Sequence, residues 1–299
     1  MLQEDIAILN DRFGMTSTLE IIDRNSIPVL RISTPFARTL IALQGAQVLE
    51  WQPAGHQPVL WVSRAAQYQI GKGVRGGVPV CWPWFGAGED GKPAHGFVRT
   101  RMWDLLSADW HGELLVVRMG ISDSEETRAI WNHAFSLELR VTIGTSLVME
   151  LITRNTGEEA FAITEALHTY FRVGDIARTV VSGLENVKYL DKVQGFATGV
   201  QHGTVAFGGE TDRIYLDTTT TCVIDDAGCD RKISVAKSGS HSTVVWNPWV
   251  DKAAGFADME PEEYREMLCV ETCNAGTDSI TVEPGGSHIL RAEISAKAN

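Results

Sequence analysis

A strict alternation of apolar and polar side chains over residues 135–143 constrains the fold of this chain more than any other sequence feature. Apolar residues occupy every odd position of this segment and polar residues every even position. Because successive side chains of a β-strand point to opposite faces, the alternation predicts a half-buried strand. Gly144 and Thr145 suit a turn into a second strand over residues 147–154, which ends before Asn155.

Segments of strand length recur along the rest of the chain, separated by glycine, proline, asparagine and aspartate clusters. The further predicted strands cover residues 28–34, 39–44, 46–52, 58–63, 113–121, 160–173, 243–247, 267–272, 278–283 and 287–296. Helix signals are short: Ser122 and Glu125 have capping-box spacing, and Pro261 suits the first turn of a helix over 262–266. Many strands with a few short helices predict an all-β chain, a sandwich or a barrel. We expect a single domain over residues 1–299, because no repeat or linker divides the sequence.

The charge balance limits the kinds of partner. The chain has 38 acidic residues against 26 lysines and arginines, a net charge of −12. Nucleic acids and anionic membranes are bound by lysines and arginines that neutralise phosphates, so we expect neither partner here. A small phosphorylated ligand held by a few arginines remains compatible with this charge. The oligomeric state is open, with a monomer favoured.

The cysteines indicate a reducing compartment. Their number is odd, and no pair has C-x-x-C spacing; they are Cys81, Cys222, Cys229, Cys269 and Cys273. Such cysteines are typical of reduced thiols in the cytoplasm. Cys269 and Cys273 could belong to a metal site, but no histidine lies near them in the sequence, so we expect no metal. The first 13 residues lack an apolar signal core and no apolar run approaches the roughly 20 residues of a membrane span, so we expect a soluble cytoplasmic protein.

Two glycine-rich or irregular segments interrupt the strand pattern and carry arginines. The first, GVRGGVPVCWPWFG at 73–86, places glycines around Arg75, where backbone could approach a ligand and the guanidinium could bind phosphate. The alternative is a rigid loop with a solvated arginine. The tryptophans of this segment are expected in the core rather than under a sugar ring. The second, PAHGFVR at 93–99, contains His95 and Arg99, two hydrogen-bond donors in what could equally be a surface loop.

Two further segments place a titratable group in an apolar strand. His168 interrupts EALHTYF, where it needs a hydrogen-bond partner and could be either a structural residue or a catalyst. Glu271 lies in CVETC, where burial could raise its pKa into the range of a general base, unless the side chain faces outward. The sequence contains no P-loop, nucleophile elbow, H-E-x-x-H or G-x-G-x-x-G motif. Acid/base chemistry by histidine and carboxylate is therefore the simplest enzymatic hypothesis.

Eight segments in order resemble the hexose-6-phosphate mutarotase branch of the aldose 1-epimerase (galactose mutarotase-like) superfamily. They span residues 43–272 and read LQGAQVLEW, LWVS, GVRGGVPVCWPWFG, AHGFVR, LHTYFRVGDI, ETDRIY, VVWNPW and CVET. The resemblance implies a large antiparallel β-sandwich, the galactose mutarotase-like supersandwich. It also implies interconversion of the α and β anomers at C1 of an aldohexose 6-phosphate, typically glucose 6-phosphate, without a cofactor or metal.

The same resemblance implies roles for individual residues. Glu271 would be the base that removes the C1 hydroxyl proton, and His168 the acid that protonates the ring oxygen. Arg75 and Arg99 match positions that bind the phosphate.

Three further pocket positions follow from the resemblance. Asp212 matches a residue that contacts sugar hydroxyls, and His95 one that lines the sugar pocket. Some relatives have glutamine before that histidine, where this chain has Ala94. Gln44 is a further candidate for the pocket lining.

Three other functions remain open at this point. The chain could be an aldose 1-epimerase for free sugars, although Arg75 and Arg99 favour a phosphorylated substrate. It could be a non-catalytic protein that binds a sugar phosphate. It could also be a glycosidase, which would need a second carboxylate facing Glu271, and Asp212 is the candidate.

Overall fold

The computed structural model describes residues 3–299, and Met1 and Leu2 lie outside it. Its three α-helices are α1 (Gln3–Phe13), α2 (Glu125–Ile130) and α3 (Trp249–Ala254). Short 3₁₀ helices cover Glu89–Gly91, Val98–Thr100, Ile176–Arg178, Lys192–Gln194 and Pro261–Glu266. None of the helices in the described residues combines the length and the apolar character that a bilayer crossing requires.

Strands account for most of the remaining regular structure. In chain order they are β1 (Leu19–Arg24), β2 (Ile27–Ser33), β3 (Ala37–Ala42), β4 (Gln47–Pro53), β5 (Val80–Cys81), β6 (Asp104–His111), β7 (Leu114–Ser122), β8 (Phe135–Ile143), β9 (Ser146–Asn155), β10 (Phe161–Ile163), β11 (Glu165–Leu167), β12 (Tyr170–Arg172), β13 (Thr179–Ser182), β14 (Lys188–Asp191), β15 (Ala197–Val200), β16 (Val205–Ala206), β17 (Thr211–Tyr215), β18 (Cys222–Asp226), β19 (Arg231–Ser238), β20 (Ser242–Asn247), β21 (Met267–Asn274), β22 (Ile280–Val282) and β23 (Ser287–Ala298).

Within residues 3–299 these strands form four antiparallel sheets. The largest has nine strands in the order β16-β13-β18-β19-β23-β9-β8-β7-β6. The second has eight, in the order β15-β14-β17-β20-β21-β11-β5, with β12 also paired to β21. Strands β1 to β4 form a four-stranded sheet, and β10 pairs with β22.

The two large sheets face each other across the main core, which confirms the predicted all-β sandwich. β21 of the eight-stranded sheet contacts β23 of the nine-stranded sheet. The indole Nε1 of Trp82, next to β5, donates to Thr153 Oγ1 on β9 at 3.0 Å. The main cluster of buried apolar residues extends from Leu19 to Ile294 and includes Trp82, which is fully buried as expected.

The β8–β9 hairpin confirms the strand pair predicted from the sequence. Every second residue of β8 is buried, as the alternation requires. Phe135 pairs with Asn155 and Ile143 with Leu147, so Gly144 and Thr145 form the turn. The register therefore places the apolar residues of β8 on the core face with Leu147, Met149 and Leu151, whereas Val148 and Ile152 are opposite Thr142 and Glu138 on the other face.

Several predicted elements differ from the structure. Residues 58–63 form only isolated bridges, because their backbone groups pair with separate partners: Val59 N–H with Trp51 O and Trp61 N–H with Tyr170 O. The predicted strand over 160–173 is divided into β10, β11 and β12. No strand was predicted between 174 and 242, where the structure has β13 to β19.

The two predicted helix starts have different outcomes. The capping box before α2 consists of Ser124 and Thr127 rather than Ser122 and Glu125, because Ser122 still belongs to β7. Pro261 does begin a helical turn, which is a 3₁₀ helix.

A buried carboxyl group, Glu165 on β11, lies inside the sandwich. His288 Nε2 is 3.3 Å from Glu165 Oε1 but donates to Asn274 Oδ1 at 3.1 Å, and Oε1 has no hydrogen-bond donor among the described residues. Thr153 Oγ1 donates to the other oxygen at a long 3.4 Å. Burial with so few donors disfavours the carboxylate and raises the pKa of Glu165 to about 8.

Glu165→Gln is expected to make stability less sensitive to alkaline pH. The pKa of Glu165 rises from 4.5 to about 8 on folding, so the stability that the protonated carboxyl contributes is complete below pH 4.5 and is lost as pH rises through 8. Between pH 6.5 and 9 the wild-type free energy of unfolding should fall by about 2 kcal/mol through this group. Chemical denaturation of both proteins at the two pH values measures the difference, and identical pH dependence would refute this assignment.

Candidate active site

A pocket of about 330 Å³ lies against the eight-stranded sheet and brings together six of the seven residues proposed for the site from the sequence, Gln44 being the exception. Its lining consists of Arg75, Pro79, Phe85, His95, Arg99, His168, Tyr170, Lys192, Asp212, Val244, Trp246, Lys252, Phe256 and Glu271. Histidine, carboxylate, arginine, lysine and aromatic groups therefore meet in a space suited to a small polar ligand.

Strand register explains how distant parts of the chain meet here. Three opposed pairs connect neighbouring strands. Asp212 on β17 pairs with Trp246 on β20, and Trp246 also pairs with Cys269 on β21. Cys269 in turn pairs with Tyr170 on β12. Directly opposed residues point to the same face of a sheet, so these four form one row across it. Glu271 follows Cys269 by two residues and projects from the same face.

The central strands of this sheet are buried on both faces. Every residue of β20 and of β21 is buried. One face packs on the sandwich core, and the other forms the floor of the pocket. Glu271 is therefore removed from water by its position on the floor, with its side chain 1% exposed.

His168 lies at the break between β11 and β12. Its backbone N–H donates to Pro79 O at 3.0 Å, outside the strand ladder. The imidazole stacks on Tyr170 with ring centroids 4.9 Å apart and an interplanar angle of 12°, and the Trp246 ring meets it edge-on. This packing holds Nε2 at 3.4 Å from Glu271 Oε1.

The His168–Glu271 pair favours its neutral forms. Burial raises the pKa of Glu271 well above its usual value, Asp212 adds to this rise and Lys192 opposes it. Burial also lowers the pKa of His168, as do the neighbouring His95 and Arg99. Within the described part of the chain, Glu271 Oε2 and His168 Nδ1 are buried without a hydrogen-bond partner. Unpaired buried polar atoms of this kind are costly and are uncommon in folded proteins.

His95 is held in an uncommon backbone conformation with φ of 61°. The N–H of Gly86 donates to its Nδ1 at 3.3 Å, which leaves the ring proton on Nε2. Burial, with the charges of Arg99, Lys192 and Arg75, lowers its pKa to about 4. His95 is therefore a neutral hydrogen-bond donor at physiological pH. A backbone outlier in a pocket is consistent with a functional constraint on this residue.

The two arginines differ in how fully the protein neutralises them. Arg75 Nε and Nη2 contact Asp258 Oδ1 at 3.1 and 3.0 Å, and Nη1 donates to Tyr170 Oη at 3.4 Å. Its guanidinium also lies 4.3 Å from the centre of the Phe256 ring. Arg99 Nη2 donates to the carbonyl of Ala94 at 3.0 Å, and among residues 3–299 no carboxylate pairs with it. Arg99 therefore has the less neutralised charge.

The glycines beside Arg75 were expected to let the backbone approach a ligand, but their surroundings differ from that expectation. Gly76 and Gly77 have φ of 117° and 60°, in the region that favours glycine. A Cβ would lie 2.4 Å from Trp61 O at Gly76 and 2.3 Å from Val48 O at Gly77. These glycines allow the loop to approach neighbouring protein backbone rather than a ligand.

Several lining residues were missed in the sequence. Lys192 Nζ pairs with Asp212 Oδ2 at 3.0 Å from a polar 3₁₀ turn that carries no motif. Tyr170 and Trp246 lie inside two of the family-like segments, which is the signal that could have found them.

Gln44 has a structural position instead of the expected place in the pocket. Its side chain is 3% exposed. It donates to the carbonyls of Gln69 and Lys72 and accepts from the N–H of Gly71. Gln44 therefore braces the loop over 69–72.

One set of side chains at the pocket floor could ligate a metal ion. Ligand atoms of His168, Cys269 and Glu271 all lie within 4.8 Å of one another. No histidine is near Cys269 in the sequence. In the structure His168 lies close to it, because the β11–β12 break is next to β21.

The fold and the site define a galactose mutarotase-like β-sandwich whose pocket is equipped for acid/base chemistry on a small polar ligand. A family model described as Aldose 1-epimerase matches residues 28–295. A protein of Escherichia coli (strain K12), provisionally named glucose-6-phosphate 1-epimerase, is 38% identical over 275 residues, covering 91% of this chain and 92% of that protein. The chain therefore belongs to the aldose 1-epimerase family.

Solved structures agree with this membership. A crystal structure of a provisionally identified mutarotase (YeaD) from Salmonella typhimurium has a TM-score of 0.90 at 34% identity, covering 96% of each chain. A galactose mutarotase-like protein from Clostridium acetobutylicum has a TM-score of 0.70 at 15% identity, covering 95% of this chain and 100% of that chain. The second likeness shows the shared fold alone.

Proposed function

We propose that this chain is a hexose-6-phosphate mutarotase that interconverts the α and β anomers of an aldohexose 6-phosphate, glucose 6-phosphate being the first candidate. The observation that carries the proposal is a histidine–carboxylate contact of 3.4 Å in the same pocket as an arginine without an acidic partner among the described residues. The name of the Escherichia coli relative supports the same substrate.

Ring opening needs one proton removed and one supplied. In the proposed step Glu271 takes the proton of the C1 hydroxyl, the electrons of that O–H bond form the C1 carbonyl, and the C1–O5 bond breaks. His168 gives its proton to O5, which becomes the C5 hydroxyl of the open-chain aldehyde. Rotation about C1–C2 and reclosure with the proton transfers reversed yield the other anomer. Acid/base groups positioned in this way typically contribute about 10²–10⁴ in rate.

The neutral resting pair contains the protons that this step requires. A carboxylic acid beside a neutral imidazole has the same number of protons as a carboxylate beside an imidazolium. Transfer of one proton from Glu271 to His168 therefore produces the carboxylate base and the imidazolium acid without proton exchange with water. Arg99 and Arg75 both lower the pKa of His168. A phosphate dianion beside these arginines would offset their charge and favour the imidazolium, so phosphate binding assists the acid.

The phosphate is assigned to Arg75 and Arg99. Asp258 holds Arg75 by Nε and Nη2, which fixes the plane of its guanidinium. Arg99 supplies the charge that the protein does not neutralise. A charge-assisted hydrogen bond contributes on the order of 1.5–3 kcal/mol. Asp212, whose Oδ2 is held by Lys192, and His95 would bind sugar hydroxyls.

A cytoplasmic location is supported by five free cysteines and by a phosphorylated substrate. A monomer of one domain remains the favoured state. Free sugars are the nearest alternative substrate, and the Arg99 charge argues against them.

Arg99→Gln is expected to raise KM for glucose 6-phosphate by about 10- to 100-fold, because a charge-assisted contact to phosphate is lost. The kcat should change less, since the His168–Glu271 contact is intact. Anomer exchange measured by NMR over a range of substrate concentrations gives both constants. Arg101→Gln is the matched control, because Arg101 pairs with Glu126 outside the pocket. Equal KM values for Arg99→Gln and wild type would contradict the phosphate assignment.

A further inference from the structure

We propose that His168, Cys269 and Glu271 form an inhibitory site for a thiophilic divalent cation such as Zn²⁺ or Cd²⁺. The three side chains meet at the floor of the pocket, where β21 supplies Cys269 and Glu271 and the β11–β12 break supplies His168. No step of the proposed reaction uses the thiol of Cys269, which is a potential metal ligand beside both proton-transfer groups.

The geometry of the cluster fits a tetrahedral ion. Two ligands at the usual 2.0–2.1 Å from zinc are about 3.4 Å apart at the tetrahedral angle. The observed separation of His168 Nε2 and Glu271 Oε1 is 3.4 Å. One ligand atom of each of the three residues lies within 4.8 Å of the others. The Cys269 thiol would therefore need only a small side-chain shift to complete three bonds.

Two observations beyond proximity indicate that the site can accept a ligand. His168 Nδ1 and Glu271 Oε2, the atoms that take no part in the 3.4 Å contact, have no hydrogen-bond partner within residues 3–299, so no other side-chain hydrogen bond there keeps Nε2 and Oε1 from turning to an ion. Glu271 is 1% exposed and Cys269 is fully buried, so a bound ion would be shielded from water on the floor side. The pocket side leaves a fourth position for water, as in zinc sites with three protein ligands.

The donor set selects the class of cation. An imidazole, a thiolate and a carboxylate suit Zn²⁺ and related thiophilic ions, whereas Mg²⁺ and Ca²⁺ prefer oxygen ligands. Binding requires the Cys269 thiol and the Glu271 carboxyl to release their protons to solvent, so affinity rises with pH. The neighbouring Arg75, Arg99 and Lys192 oppose a cation and lower its affinity. A sugar phosphate in the pocket would occupy the space in front of His168 and Glu271, so the ion and the substrate would exclude each other.

Occupancy would stop the proposed reaction, because both proton-transfer groups would be metal ligands. This consequence rests on the proposed function, whereas metal binding itself does not. We therefore expect Zn²⁺ to inhibit competitively with the sugar phosphate and Mg²⁺ to have no effect at the same concentration.

Cd²⁺ titration followed by the ultraviolet thiolate-to-cadmium charge-transfer band tests the site directly. The wild type should show a band that saturates at one equivalent. The band should be lost in Cys269→Ser and retained in Cys273→Ser and Cys229→Ser. His168→Asn keeps the thiol but removes a ligand, and should weaken Cd²⁺ binding by more than about tenfold. This second variant keeps the test valid if Cys269→Ser is unstable.

The outcomes separate the site from the proposed function. A saturable band that depends on Cys269 and His168, in a protein without anomerase activity, supports the site and contradicts the function. Turnover without a Cd²⁺ band, or a band unchanged in Cys269→Ser, overturns the site and leaves the function intact. Inhibition by Zn²⁺ that Cys269→Ser does not relieve, relative to the activity of that variant without metal, also overturns it.

Discussion

Glu271→Gln is expected to lower kcat for anomer exchange of glucose 6-phosphate by about 10²–10⁴-fold, the range of a positioned general base. Glutamine keeps the shape of the side chain and one acceptor oxygen but cannot accept the C1 hydroxyl proton. KM should change little, because the phosphate contacts from Arg75 and Arg99 remain. Exchange measured by NMR at saturating substrate, with the spontaneous rate subtracted, gives kcat.

A second buried carboxyl group provides the matched control. Glu165 is also fully buried and also contacts a histidine, His288 at 3.3 Å, but it lies outside the pocket lining. Glu165→Gln should therefore keep wild-type exchange. Near-wild-type kcat in Glu271→Gln would exclude Glu271 as the base and leave it an orienting role.

His168→Asn is expected to lower kcat by a similar factor, about 10²–10⁴-fold. The amide cannot donate a proton to O5 and regain it, so the ring oxygen would leave without an acid. The substitution also removes the stack on Tyr170 and the edge contact with Trp246, but the edge contact between Tyr170 and Trp246 remains to hold this side of the pocket. The same exchange assay measures the effect, and thermal unfolding shows whether the variant is folded.

His288→Asn and the double variant separate acid catalysis from general damage. His288 contacts a buried glutamate as His168 does, so its replacement controls for the loss of a buried imidazole. Groups that act as one unit are not additive, so Glu271→Gln with His168→Asn should be only slightly slower than either single variant. Losses that multiply would indicate that the two side chains act independently.

Much of the fold was predictable where one face of a strand is buried and the other is exposed. β8 shows this most clearly, because its apolar residues alternate with polar ones in the sequence and every second residue is buried in the structure. The apolar run over 160–173 contains no such signal. Its breaks depend on tertiary partners, such as the bond from His168 N–H to Pro79 O, which no local pattern reveals. The predicted strand over residues 58–63 was wrong for the same reason, because its backbone groups also pair with separate tertiary partners.

The site was predictable only through the family-like segments. Chemistry alone left Arg75, His95 and Arg99 undecided between ligand binding and ordinary loop positions, and the resemblance gave them roles that these geometries support. Lys192 had no signal, because it lies in a short polar turn and becomes relevant only through the 3.0 Å contact with Asp212. From the sequence Cys269 was not expected to be a metal ligand, because no histidine is near it along the chain. His168 comes close to it only through strand pairing.

This chain is expected to catalyse anomer exchange of a phosphorylated hexose. NMR saturation transfer at the C1 proton, from the α to the β anomer, measures it directly on the wild type with glucose 6-phosphate and, as controls, glucose and galactose. Acceleration of glucose 6-phosphate far above that of the free sugars is the predicted result. No acceleration of any sugar, or equal acceleration of glucose and its 6-phosphate, would contradict it.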